Sequence, residues 1–274
     1  MAVIVIGQQF GSRGVMLGQL AADQLGYRLI NSNDVLVSAA VHYQVPREQL
    51  QLVDERTPHF WERLRTDTTR LFAFYRAMLL KELILDRTVA VGRATPLFVP
   101  EGANHVLRVR TVAPFEDRKN QVAIDEKLEP AAAARRVRDY EREVRARLQT
   151  MLGVDIDEPS IYHLVLNTAA MPMTTLAEIL AKCAQLAERD AGTESWGKLR
   201  DASITAQVRA ALFAHPKIGN AAIEVGTVNG VVTLSSAALV PPWDDLANQI
   251  ARAIEGVVSV ELGIEEPPIP PRAA

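Results

Sequence analysis

The chain has 274 residues, enough for one large domain or two smaller ones. Hydrophobic residues make up 48% and charged residues 23%, an ordinary globular balance that sets aside fibrous and low-complexity classes. A formal net charge of −3 offers no overall electrostatic case for nucleic acid or an anionic membrane as partner.

Charge is unevenly spread. Residues 1–190 carry 24 basic and 24 acidic side chains, and residues 191–274 carry 6 and 9. Among the first group only Lys81, Lys119, Lys127 and Lys182 are lysines. Arginine suits bidentate recognition of phosphate, although a general compositional bias accounts for most of the excess. The single cysteine, Cys183, sits at a helical core position and has no disulfide partner within the chain. The apolar run Ala2–Ile6 is too short for a signal peptide or a membrane span, so the expected location is cytoplasmic.

In chain order, Ala2–Ile6 is β-branched and apolar, as in a buried parallel strand. A glycine-rich turn, Gly7 to Gly14, leads into a helix marked by Val15, Leu17, Leu20, Ala21 and Leu25 and stopped by Gly26. Leu29-Ile30 begins a second strand, and residues 34–43 and 47–53 read as helices, with N-capping the expected use of Asn31 to Asp34. A long helical pattern covers 60–86. Strands follow at Thr88–Val91 and His105–Val112, helices at Phe115–Val122 and Pro130–Met151, a strand at Tyr162–Leu166 and a helix at Thr174–Asp190. Strands alternating with helices predict a mainly parallel sheet with helices on both faces.

The pattern changes after 190. Residues 191–198 read as a linker. Then come a helix, Leu199–Ala214, a hairpin of Ala221–Gly226 and Val231–Ser235 turned by Asn229-Gly230, a helix Asp244–Ile254 and a strand Val257–Gly263. The tail 266–274, rich in proline, is expected to be extended. The predicted organisation is therefore a domain at 1–190, a linker at 191–198, a small α+β domain at 199–265 and a tail.

The turn Gly7-Gln8-Gln9-Phe10-Gly11-Ser12-Arg13-Gly14 has the makings of a phosphate loop. Glycines let backbone N–H groups close round an anion, and the helix N-terminus adds partial positive charge. A full Walker A loop supplies a lysine to the phosphates and a hydroxyl to Mg²⁺. Gly14 and Val15 stand in those places here, with Ser12 and Arg13 the obvious substitutes. A tight strand–helix turn with no ligand is the alternative.

These elements resemble the cytidylate kinase-like family of P-loop nucleoside-monophosphate kinases. The resemblance runs through Gly7 to Val15, Gly92-Arg93, Ala113-Pro114-Phe115-Glu116-Asp117-Arg118, Asp139 with Arg142, Gly153-Val154-Asp155 and Tyr162 to Thr168, and covers about residues 1–185. It implies ATP and Mg²⁺ as cofactors and a nucleotide as partner. His42, His59, His105, His163 and His215 form no ligand spacing, so no structural metal is expected. The resemblance implies phosphate binding by Gln9, Phe10, Gly11, Ser12, Arg13, Gly14 and Arg93, and catalytic roles for Arg13, Arg118, Asp139 and Arg142. Four departures imply a weak or inactive phosphotransferase: Val15, the run Asn31-Ser32-Asn33-Asp34, Gln121 and His163. Residues 199–264 resemble BON modules, most clearly in Asn229-Gly230-Val231-Val232-Thr233-Leu234-Ser235, which implies a small-ligand or phospholipid-binding domain. A second reading from the same residues is a non-catalytic sensor or scaffold that couples the two domains. Homo-oligomerisation is compatible with the sequence without being required by it.

Overall fold

A computed structural model describes residues 2–46, 65–219, 221–236 and 239–263. The helix predicted at 47–53, the start of the 60–86 helix and the proline-rich tail lie outside these residues.

Ala2 to Ile6 are wholly buried, and strand β1 (Val3–Gln8) forms the centre of a five-stranded sheet. A strand buried on both faces needs apolar residues at every position, and this one has them. Strands β2 (Arg28–Asn31), β3 (Thr88–Val91), β4 (Val106–Val112) and β5 (Leu164–Asn167) complete the order β2-β3-β1-β4-β5. Every pairing is parallel, with Ile4 beside Val89 on one side and Gly7 beside Arg110 on the other.

Helix α1 (Gly14–Leu25) ends on Gly26 in the left-handed region at φ 67°, as its glycine stop predicts. Helix α2 (Ser32–Tyr43) opens with a capping box. The Asn31 side chain accepts from the Asn33 and Asp34 N–H groups, and Asp34 Oδ2 accepts from the Asn31 N–H at 2.9 Å. That is the capping role expected of this run. Helix α3 is Arg65–Leu83, α4 is Phe115–Glu126, α5 is Pro130–Leu152 and α6 is Met173–Ala187. Helices α1 and α6 cover one face through Leu17, Ala21, Leu176 and Leu180. Helices α2 and α3 cover the other through Leu36, Phe74, Leu79 and Leu80. Helices α4 and α5 close over the loop after β1.

Helix α7 (Thr193–Ala214) begins six residues before Leu199, within the stretch that the composition gives to a linker. The reason is docking: Trp196 and Leu199 pack into the core of the large sheet, together with Ala206 and Ala210. The opposite side of the same helix carries Ile204, Val208 and Leu212 into a second core. One helix thus serves two hydrophobic cores, and it packs lengthwise on α3.

The second core is closed by β6 (Glu224–Val228), β7 (Val231–Ser235), α8 (Trp243–Arg252) and β8 (Ser259–Gly263). Strands β6 and β7 are antiparallel, and β8 runs parallel to β7. Asn229 and Gly230, at φ 50° and 77°, make the two-residue turn that their sequence predicts. Asp201 on α7 accepts both turn N–H groups, at 2.8 and 3.0 Å, and pins the hairpin to that helix. Among the described residues no helix is long and apolar enough to cross a membrane.

Candidate nucleotide site

The loop after β1 is built by its bonds to β4. Gln9 N–H donates to the Thr111 carbonyl at 2.9 Å, and Gln9 Oε1 accepts from the Ala113 N–H at 3.3 Å. The Ser12 and Thr111 hydroxyls share a 2.8 Å hydrogen bond, and Ser12 is wholly buried. Gly11 lies at φ 80°, where a Cβ would come within 2.5 Å of the Arg118 carbonyl oxygen. Gly14 is equally confined: a Cβ there would sit 2.7 Å from Gln8 Cβ and 2.8 Å from Thr111 Oγ1. Both glycines are therefore required by packing, whatever the loop binds.

Arg13 adopts a left-handed conformation at φ 58° and is the N-cap of α1, with no side-chain hydrogen bond to the helix. The first helical bond runs from the Leu17 N–H to the Arg13 carbonyl. The α1 N-terminus is thus uncapped by any side chain, in contrast to α2.

Beside the loop, on its Phe10 side, lies a small, partly open cleft that none of Gly11 to Val15 lines. Gln8, Gln9 and Phe10 line it from the loop, Arg93 and Arg110 from the sheet, and Tyr140, Glu141 and Arg145 from α5. The Phe10 and Tyr140 rings stack with centroids 4.3 Å apart. The Arg93 guanidinium lies 3.4 Å from the Tyr140 ring centroid, and Arg136 lies 5.1 Å from the centroids of both rings. These cation–π contacts hold two guanidinium groups against the aromatic wall.

Arg118, only 6% exposed, ties the loop to both closing helices. Its Nε donates to the Ala113 carbonyl at 2.9 Å, and its Nη1 donates to the Phe10 carbonyl at 3.3 Å and pairs with Glu141. On the far wall Arg110 Nη2 donates to Asp157 Oδ1 at 2.9 Å, while Asp157 Oδ2 accepts from Arg145. Burial alone would raise the Asp157 carboxyl. The hydrogen bonds from Arg145 and the charge of Arg110 override it and hold the group below the usual carboxylate range.

Of the predicted residues, the structure brings Gln9, Phe10, Gly11, Ser12, Arg13, Gly14, Arg93 and Arg118 to one end of the sheet. It does not bring Asp139 and Arg142 there. These two pair with each other at 2.7 Å on the solvent side of α5, both more than half exposed. Helix α5 instead turns Tyr140, Glu141 and Arg145 into the cleft. None of those three, nor Arg110, Arg136 or Asp157, is among the residues predicted for the site. A signal existed for Arg110: an arginine in the middle of a strand, at Val-Arg-Thr, is out of pattern for a buried parallel sheet.

The cleft residues fit an anion. Arg93, Arg110 and Arg145 face it against two carboxylates, and Arg118 has already engaged one of those. They do not fit Mg²⁺. Glu141 and Asp157 are held by guanidinium groups, the Ser12 hydroxyl is bonded to Thr111, and no group of three metal-ligating side chains occurs among the described residues.

A family model described as the cytidylate kinase-like family matches residues 3–170. The chain belongs to that family. A cytidylate kinase from Methanothermobacter thermautotrophicus is 22% identical over 166 residues, covering 61% of this chain and 94% of that protein. One from Methanopyrus kandleri is 27% identical over 167 residues, covering 61% and 84%. A crystal structure of shikimate kinase from Bacteroides thetaiotaomicron superposes with a TM-score of 0.44 at 13% identity, over 67% of this chain and 98% of that one. The BON domain model matches residues 200–236, which include α7 from Arg200 and the β6–β7 hairpin. The cytidylate kinase-like domain, with its nucleotide-binding fold, is thus followed by a BON domain whose first helix it shares.

Proposed function

We propose that the cleft holds the phosphates of a nucleotide and that the domain is a weak or silent phosphotransferase of the nucleoside-monophosphate kinase type. Cytidylate is the first acceptor to test, because the curated relatives bear that name. The observation that carries this is the set of three guanidinium groups, Arg93, Arg110 and Arg145, that line the cleft beside the loop after β1. Phosphoryl transfer depends on positioning and charge neutralisation, and these residues supply the charge. Arg13 is free to swing toward a phosphate, since no hydrogen bond or ion pair holds its side chain among the described residues. Arg118 steadies the loop from its bonds to Phe10 and Glu141. A part for Asp139 and Arg142 in transfer would need α5 to turn or close toward the loop.

ATP is the donor this family membership suggests. Mg²⁺ would have to arrive with it, because the residues at the loop offer no hydroxyl or carboxylate that is not already engaged. We assign the protein to the cytoplasm and divide it at 1–190 and 199–265, with α7 bridging the two. The BON domain then takes a small ligand or a phospholipid.

The test is a coupled assay with ATP, Mg²⁺ and each nucleoside monophosphate. Losing a preorganised charge and the loop hydroxyl typically costs about 10²–10³ in rate. Turnover should be absent or at least about a hundredfold below the range of about 1–100 per second typical of kinases. Turnover within that range would overturn the assignment. The helix shared by the two cores favours a second reading, in which the kinase-like domain reports nucleotide binding to the BON domain through α7. Nucleotide binding without turnover, accompanied by altered protection of α7 in hydrogen exchange, would support it.

A further inference from the structure

The buried guanidinium of Arg110 is only partly satisfied. The residue is 3% exposed and spends Nη2 on Asp157, yet its Nε and Nη1 are buried with no hydrogen-bond partner among the described residues. A buried charged donor without an acceptor loses its hydration for nothing and calls for an explanation, and at Arg110, unlike Arg108, the donor lines a cleft that an anion could enter. Asp157 is correspondingly overcommitted. Its two oxygens are divided between Arg110 and Arg145, so one carboxylate answers two positive charges. The other carboxylate of the cleft, Glu141, is engaged by Arg118 and cannot make up the difference.

We propose that Arg110 and Arg145 form an oxoanion subsite for the phosphate of the bound ligand, and that Asp157 is an internal carboxylate holding this subsite until the phosphate takes its place. This rests on the reading that a nucleoside phosphate enters the cleft. Asp157 already demonstrates the chemistry, since a two-oxygen anion sits between the two guanidinium groups. A phosphate has an additional oxygen with which to meet the unanswered N–H groups of Arg110, and charge-assisted bonds of this kind are among the strong ones. Arg145 is about half exposed at the mouth and Arg110 lies at the base, which gives an anion a path from solvent to the buried charge. Displacement also opens a link to the fold: Asp157 anchors the segment between α5 and β5, so its release loosens that segment when ligand binds.

The experiment is isothermal titration of the full chain with inorganic phosphate, cytidine monophosphate and cytidine, in the natural sequence and in two variants. Asp157→Asn removes the competitor and should raise phosphate affinity at least fivefold. Arg110→Met should lower it at least tenfold, and it leaves Asp157 paired with Arg145, so the fold is retained; a thermal melt checks this. Should the Met variant fail to fold, Arg110→Lys, which keeps one charge but loses the planar fork, should show the same loss. Opposite signs at two residues that touch would establish the subsite. Cytidine monophosphate binding more tightly than phosphate, with cytidine inert, would identify a nucleotide as its source; equal affinities would identify free phosphate. Ligand binding that both variants leave within twofold, or an affinity lowered by Asp157→Asn, would overturn the subsite while the nucleotide reading stands. No binding of phosphate or nucleotide to either the natural chain or Asp157→Asn would sink both.

Discussion

The Ser195 hydroxyl accepts the backbone N–H of His105 at 3.1 Å and hydrogen-bonds Nδ1 of the same residue, so one side chain at the start of α7 fixes the residue just before β4. The Trp196 ring covers the imidazole, with centroids 3.9 Å apart. His105 is wholly buried as a result. The first turn of the BON domain's leading helix is thereby built against the N-terminal end of β4, an inner strand of the kinase-like sheet whose other half carries Arg110.

Ser195→Ala should cost about 1–3 kcal/mol of unfolding free energy, because it strands a buried N–H and a buried ring nitrogen at once. Chemical denaturation at neutral pH measures this. A loss below about 0.5 kcal/mol would mean that the hydrogen bonds contribute nothing beyond what packing of Trp196 supplies.

The same contact predicts a pH dependence. Burial pushes the His105 imidazole down to about 4, with Asp86 acting weakly in the other direction. An unfolded histidine titrates near about 6.5. A histidine with a depressed folded pKa stabilises the fold fully above the unfolded value, and that contribution is lost as pH falls from about 6.5 through about 4. The loss should approach about 3 kcal/mol at the acid end. His105→Asn should flatten the difference between unfolding free energies at pH 7 and pH 4.5. An unchanged difference would show that the ring is not the group responsible.

Gly11 and Arg13 should separate under mutation. At φ 80°, Gly11→Ala places a Cβ within 2.5 Å of the Arg118 carbonyl, so the melting temperature should fall along with any ligand binding. Arg13→Ala should leave stability within about 0.5 kcal/mol, since no bond to the side chain is lost, while lowering nucleotide affinity. Equal melting temperatures for the two variants would mean that the loop relaxes away from Arg118.

Much of this was legible in the sequence. The strand–glycine–helix opening, the alternation of strands and helices, the capping box at Asn31 and the Asn229-Gly230 hairpin all follow from local chemistry, and the structure has each of them. The start of α7 was not legible, because Ala191 to Ser195 have the composition of a loop and become the entrance to a helix only when Trp196 finds His105, some 90 residues away. The site was half legible. Residues on the loop announce themselves through glycine, whereas the far wall depends on which side of α5 faces inward. That is set by Tyr140 stacking on Phe10, a contact that spacing alone does not reveal. Hence Arg142 stood out by motif and lies in solvent, while Arg145, three residues on, reaches the cleft.

A shared helix limits modularity. Residues 193–263 expressed alone would expose Trp196, Leu199, Ala206 and Ala210, which the large domain now buries. Burial of such side chains contributes roughly 25 cal/mol per Å². The fragment should melt at least about 5 °C below the transition that reports the same helix in the whole chain. Identical transitions would mean that the two cores are energetically separate despite the shared element.

The central claim is that the cleft recognises phosphate rather than merely closing the fold, and thermal denaturation of the full chain with and without ligand tests it most directly. A ligand at about a hundred times its dissociation constant stabilises the folded state by about 2.7 kcal/mol. Cytidine monophosphate and ATP should each raise the melting temperature by several degrees, cytidine and adenosine should not, and Arg93→Met should abolish the rise. Equal shifts with nucleosides and nucleotides, or no shift with any of the four, would contradict the account.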